Sequence, residues 1–183
     1  LSFFSKYVSG NDADPLKYMF INNVNLAGYI FMSVIVAIFI GLIISAEEII
    51  RDRKILEREK FLNLSRITYL NSKIVFLFSL SAIQMLIFVI LGNTLLEIKG
   101  MSLDYWLVLF SSACLANMMG LNISSALKSV IAIYITIPFI MVPLIILSGV
   151  ILKFDKMHYS ISSEKYVPVI GDLMASRWAY EAL

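Results

Sequence analysis

The chain has 183 residues, of which 60% are hydrophobic and 15% charged, with a formal net charge of +2. Average soluble domains hold roughly 45–50% apolar and 25% charged residues, so an ordinary water-soluble fold is excluded. One cysteine (Cys114) and one histidine (His158) exclude an internal disulfide and leave little material for a metal centre; nothing points to a nucleic-acid partner.

Residues 1–23 are mixed and polar, with a turn expected at Asn11–Pro15, and nothing there has the form of a signal peptide. A start at Leu1 rather than Met, together with the abrupt end at Leu183, leads us to expect a piece of a longer protein. Four stretches then carry no charge at all: 24–46, 74–96, 105–127 and 129–152, each at least 22 residues long. At 1.5 Å rise per residue, a helix of that length crosses a hydrocarbon core of roughly 30 Å. Lipid offers the backbone no hydrogen-bond partner, so each stretch must be helical. The expected fold class is therefore all-α integral membrane, a polytopic bundle with four transmembrane helices in this piece.

Between the first two stretches lies the densest charge block, Glu47–Lys60, thinning out towards Lys73. Residues 47–73 hold seven of the fifteen basic residues, and Lys and Arg beside a span favour the cytoplasmic side. With this loop inside, residues 1–23, the turn 97–104 and the tail 153–183 fall outside, the tail as an external or re-entrant segment. The apolar pairs of the loop, Ile49-Ile50, Ile55-Leu56 and Phe61-Leu62, are spaced six apart. That spacing spreads them around a helix, and predicts a broken helix or one gripped on several sides.

Small residues recur at every fourth position in two spans: Ser33, Ala37, Gly41 and Ser45 in the first, and Ser112, Ala116, Gly120 and Ser124 in the third. Residues four apart share one helical face, and small ones let two backbones approach, so both faces should pack against other helices. Pro138 and Pro143 predict a kink in the last span. The polar groups inside the spans, including Gln84, Asn93, Asn117, Asn122 and Thr136, are expected to bond between helices. No span carries an ionisable residue, which argues against a proton-coupled carrier and for a cavity suited to hydrophobic or amphipathic cargo.

No phosphate-cradling Gly-Lys-Ser/Thr loop and no Gly-x-Ser-x-Gly elbow occurs, so no catalytic residue is assigned. The paired glutamates of Glu47-Glu48-Ile49-Ile50-Arg51 resemble the motif of intramembrane proteases that process prenylated proteins. That motif has one more residue before its arginine and needs several later histidines, and here only His158 is available.

The run Asp52-Arg53, Leu56, Arg58-Glu59, Leu64-Ser65, Tyr69, Ser72-Lys73 resembles the first cytoplasmic loop of the G-subfamily ABC transporters, the White and breast-cancer-resistance-protein type. Ser148-Gly149, Val167-Pro168 and Arg177-Trp178-Ala179-Tyr180-Glu181-Ala182-Leu183 are similar to later motifs of that family in the same order. The resemblance covers roughly residues 24–183 and implies the permease part of a type-2 ABC exporter, whose second to fifth spans are the four seen here.

It further implies an ABC nucleotide-binding domain carrying ATP and Mg outside this piece, and a second half-transporter, the same or different. In that frame the 47–73 loop is the coupling helix, and Asp52, Arg53, Arg58, Glu59 and Tyr69 couple to the ATPase domain. Phe39, Ile40, Phe139 and Val142 line the substrate path, and Val150 and Ile151 form the plug. The phenylalanine on which drug exporters of the family stack cargo falls near Ile40, with Phe39 adjacent. The cysteine-bridged external loop of the animal proteins is absent, which implies a bacterial cytoplasmic membrane. The expected function is ATP-driven export; the alternatives are a membrane anchor or assembly scaffold and, behind it, the protease.

Overall fold

A computed structural model of the chain describes residues 26–59, 65–96, 100–127, 129–146, 148 and 174–183. Among them are six helices: α1 (Leu26–Ala46), α2 (Glu48–Glu59), α3 (Arg66–Leu96), α4 (Ser102–Ala126), α5 (Val130–Ile146) and α6 (Ala175–Glu181). Three helical runs are long and apolar enough to cross a membrane, and α5 is a shorter apolar helix. The chain is an all-helical, polytopic membrane protein.

One boundary differs from that expected from charge. α3 starts at Arg66, within the stretch expected to be loop, and runs for 31 residues. Charge marks where lipid begins, not where a helix must stop, so Arg66 and Lys73 extend the helix beyond the apolar stretch. α5 is described over Val130–Ile146 and passes through Pro138 and Pro143 without interruption, and residues 147 and 149–152 of the expected 129–152 lie outside the described residues. Two carbonyls near its described end accept side-chain hydrogen bonds. Ser176 Oγ donates to the carbonyl of Leu144 at 2.6 Å, and Ser148 Oγ donates to that of Ile145 at 2.7 Å.

The largest helix–helix contact is between α1 and α4. Ser33 meets Tyr105, Gly41 meets Ala113 and Ala116, and Ser45 meets Gly120. Partners keep a nearly constant offset along both chains, so α1 and α4 run parallel. The two small-residue stripes face each other, with Ser33, Ala37, Gly41, Ser112, Ala116 and Gly120 all buried. A Cβ on Gly41 would stand 2.9 Å from the carbonyl oxygen of Ala113 and 3.0 Å from the Ala116 Cβ, so only glycine permits this approach.

α3 runs antiparallel to α4. Asn93 Nδ2 donates to Ser102 Oγ (2.9 Å), Trp106 Nε1 to the Ala82 carbonyl (3.0 Å), and Asn117 Nδ2 to Ser81 Oγ (2.8 Å). Two of the asparagines expected to bond between helices do so, whereas Thr136 bonds back to Ala132 on its own helix at 2.8 Å and Asn122 is exposed. Only a narrow stripe of α3 is buried, including Leu77, Ser81, Met85, Val89 and Leu96, while residues such as Val75, Ile83 and Ile87 face outward. A helix that shows apolar residues on its outer side is adapted to lipid.

These contacts define two ends of the bundle. One gathers α2, the start of α3, the end of α4 and the start of α5. The other holds α6, where the Phe31 and Tyr180 rings meet edge-on with centroids 5.9 Å apart.

Candidate functional site at the charged end

α2 follows α1 after a single turn residue, Glu47, whose carbonyl accepts from Arg51 N at 3.0 Å. Of the two expectations for the charged loop, the described residues show the gripped one: Glu48–Glu59 is a continuous helix held on more than one side. Phe61-Leu62 lie outside the described residues. Within α2, Glu48 is buried, Ile49, Ile50 and Leu56 are half-buried and Ile55 is exposed, so the helix has an inner and an outer side.

Glu48 and Asp52, four residues apart, share the face turned to α3. Lys73 Nζ stands between them, 2.6 Å from Glu48 Oε2 and 2.7 Å from Asp52 Oδ2. Tyr69 Oη donates to the same Asp52 oxygen at 3.0 Å, and its ring lies 5.8 Å from the Lys73 ammonium. Arg51 also reaches Glu48, at 2.9 Å, but its side chain is 66% exposed against 20% for Lys73. Exposed pairs contribute little, so Lys73 is the structural cation of the cluster. Partial burial pushes the Asp52 carboxyl up, but the bonds from Lys73 and Tyr69 and the charges of Lys73 and Arg51 outweigh it. The net effect holds Asp52 below its ordinary value of 3.8.

The other side of α2 is bound to α4. Ser124 Oγ accepts from the backbone nitrogens of both Ile49 and Ile50, each at 3.1 Å. Those amides are among the first-turn donors that a helix cannot satisfy itself, so Ser124 caps α2 from a different helix. Arg53 Nη1 donates to the carbonyl of Leu127, just past the end of α4, at 3.5 Å. The Tyr134 hydroxyl donates to Glu47, which joins the start of α5 to the α1–α2 corner.

Of the residues singled out from sequence, the fold gathers Asp52, Arg53 and Tyr69 at this end. Arg58 lies exposed on the last turn of α2 with no ion pair among the described residues, and Glu59 closes that helix. Phe39 is 41% exposed and Ile40 half-buried on α1, while Phe139 (79%) and Val142 (53%) lie on the open face of α5. Val150 and Ile151 lie outside the described residues. Glu48, Lys73, Ser124 and Tyr134 were not among the expected site residues. Glu48 and Lys73 had a visible signal, an acid and a base bracketing the block that contains Asp52. Ser124 read only as a packing residue.

The chain thus presents a bundle of membrane-crossing helices with a charged, partly exposed helix clamped across one end. The sequence profile of the ABC-2 type transporter family matches residues 3–183, and the chain belongs to that family. No curated protein and no solved structure matches it. ABC-2 permease domains are not themselves catalytic and work with ATPase domains, so the chain is an integral membrane component of such a transporter.

Proposed function

We propose that the chain is the membrane part of a G-subfamily-type ABC exporter of a bacterial cytoplasmic membrane, which moves a hydrophobic or amphipathic cargo. In this reading two halves assemble, ATP and Mg2+ bind the nucleotide-binding domains, and α2 is the coupling helix that docks on them. One observation carries it: α2 bears an exposed charged side yet is fixed to α1, α3, α4 and α5 through Glu47, Glu48, Asp52, Arg53 and their partners. A force applied to that helix from the cytoplasm meets direct contacts to α3 and α4, and a weaker one to α5. The apolar α1 and α5 faces around Phe39, Ile40, Phe139 and Val142 supply a wall without charge, as an apolar cargo requires. Val150 and Ile151 are assigned to the plug by the family resemblance alone.

The test is ATP hydrolysis by the complete transporter in proteoliposomes carrying Arg58→Ala or Glu59→Ala. Either change should uncouple hydrolysis from transport several-fold. A membrane anchor or scaffold would show hydrolysis indifferent to both.

A further inference from the structure

α2 is continuous in chain with α1 and ion-paired to α3, and either would serve as the route by which its motion enters the membrane. The geometry favours a third. We propose that Ser124 is a positioning residue that locks α2 to α4, so that α2 and α4 move as one body and α4 carries the stroke. The inference rests on the coupling-helix reading above.

Two independent contacts make the lock. Ser124 Oγ meets the Ile49 and Ile50 amides together at 3.1 Å, which fixes both the position and the direction of the α2 axis. The Arg53 guanidinium then meets the Leu127 carbonyl one turn further along α2. A cation at the carbonyl end of α4 and an acceptor at the amide end of α2 each complement the local helix dipole. Ser124 is buried, so water does not replace its oxygen as acceptor.

Below this joint α1 and α4 are themselves in backbone contact. Gly41 faces Ala113, and a Cβ on Gly120 would lie 3.0 Å from the Leu42 carbonyl oxygen, so the two helices pack at backbone distance. Among the described residues α5 has no comparable seam: at this end it is joined to the corner by the Tyr134–Glu47 bond on an exposed tyrosine. At the charged end the structure thus ties α2 to α1, α3 and α4 more closely than to α5, whose buried residues Ile133, Ile137, Met141 and Leu144 pack into the core through their side chains.

The experiment uses the complete transporter in lipid, with Cys114→Ala as background. Nitroxides at Lys54→Cys and Ala126→Cys, both exposed, report the α2–α4 distance, and a second pair at Lys54→Cys and Ile131→Cys reports α2–α5. The α2–α4 distance should stay narrow and unchanged on ATP binding while the α2–α5 distance shifts. Ser124→Ala should broaden the α2–α4 distribution and speed amide exchange at Ile49 and Ile50 about five-fold, the effect of a lost cap. Ser124→Thr, which keeps the hydroxyl, should restore both. Arg53→Gln, on a half-buried side chain, provides a second lesion with the same broadening. An α2–α4 distance that changes with ATP in the parent protein, or amide exchange unaffected by Ser124→Ala, overturns the proposal. If neither pair responds to ATP, the ATP-driven reading fails and α4's role in the stroke fails with it; the exchange result still decides whether Ser124 holds α2.

Discussion

Lys73, two turns into α3, lies 2.7 Å from Asp52 of α2, and the same ammonium lies 2.6 Å from Glu48. One cation is thus shared by two carboxylates on one helical face, at the level where the charged loop meets the apolar stretch that begins at Ile74. Repulsion between Glu48 and Asp52 is converted into attachment of α2 to α3.

Lys73→Met should therefore destabilise the protein by about 1–3 kcal/mol, because it leaves the buried Glu48 and the neighbouring Asp52 without their shared partner. Arg51→Ala, which removes a cation that is largely in water, should cost less than about 1 kcal/mol. Thermal unfolding of the purified transporter in one detergent ranks the two. Equal effects would mean that Lys73 is not the structural cation.

Acid should loosen α2, and only at low pH. Asp52 titrates below 3.8 in the folded protein, so its contribution is complete above the ordinary carboxylate range and is lost as pH falls through the lowered folded value. Protection of α2 amides, corrected for intrinsic exchange, should be flat from neutral to about pH 5 and drop below about pH 4. Asp52→Asn should remove that drop. A step between pH 6 and 8 would place the controlling group elsewhere.

Two glycines of α1 should respond in opposite directions to the same change. Gly41→Ala forces a Cβ to 2.9 Å from the Ala113 carbonyl oxygen and should cost about 1–3 kcal/mol as α1 and α4 part. Gly28→Ala enters open space, with nothing within 4 Å, and should stabilise by about 0.4–1 kcal/mol through reduced freedom of the unfolded chain. Unfolding midpoints of the two variants provide the comparison.

The helices were legible because a bilayer permits so few alternatives: long uncharged stretches must be helical, and charge marks their limits. Charge failed as a guide to helix ends at Arg66, since a helix continues into water without cost to its backbone bonds. The small-residue stripes of α1 and α4 were each visible, but spacing within a helix does not say which other helix it meets. Their mutual packing needed the fold. The same holds at the charged end. Asp52 and Tyr69 stood out as members of one motif, yet their bond to each other and to Lys73 depends on where α3 begins. Ser124 was the least legible, because a serine in a row of small residues gives no sign that it caps another helix. The apolar pairs of the loop pointed to a helix gripped on several sides, and the contacts of α2 with α3 and α4 agree with that, though Phe61-Leu62 lie outside the described residues.

The central claim is that α2 docks on an ATPase domain. A photo-crosslinking amino acid at Arg58, exposed on the last turn of α2, tests it in intact membranes, with the adduct mapped by mass spectrometry. The account expects adducts to a nucleotide-binding domain, on the same chain or on a separate subunit, with a yield that changes when ATP is bound. Adducts confined to lipid or to other membrane helices, with no ATPase peptide and no response to ATP, would contradict it.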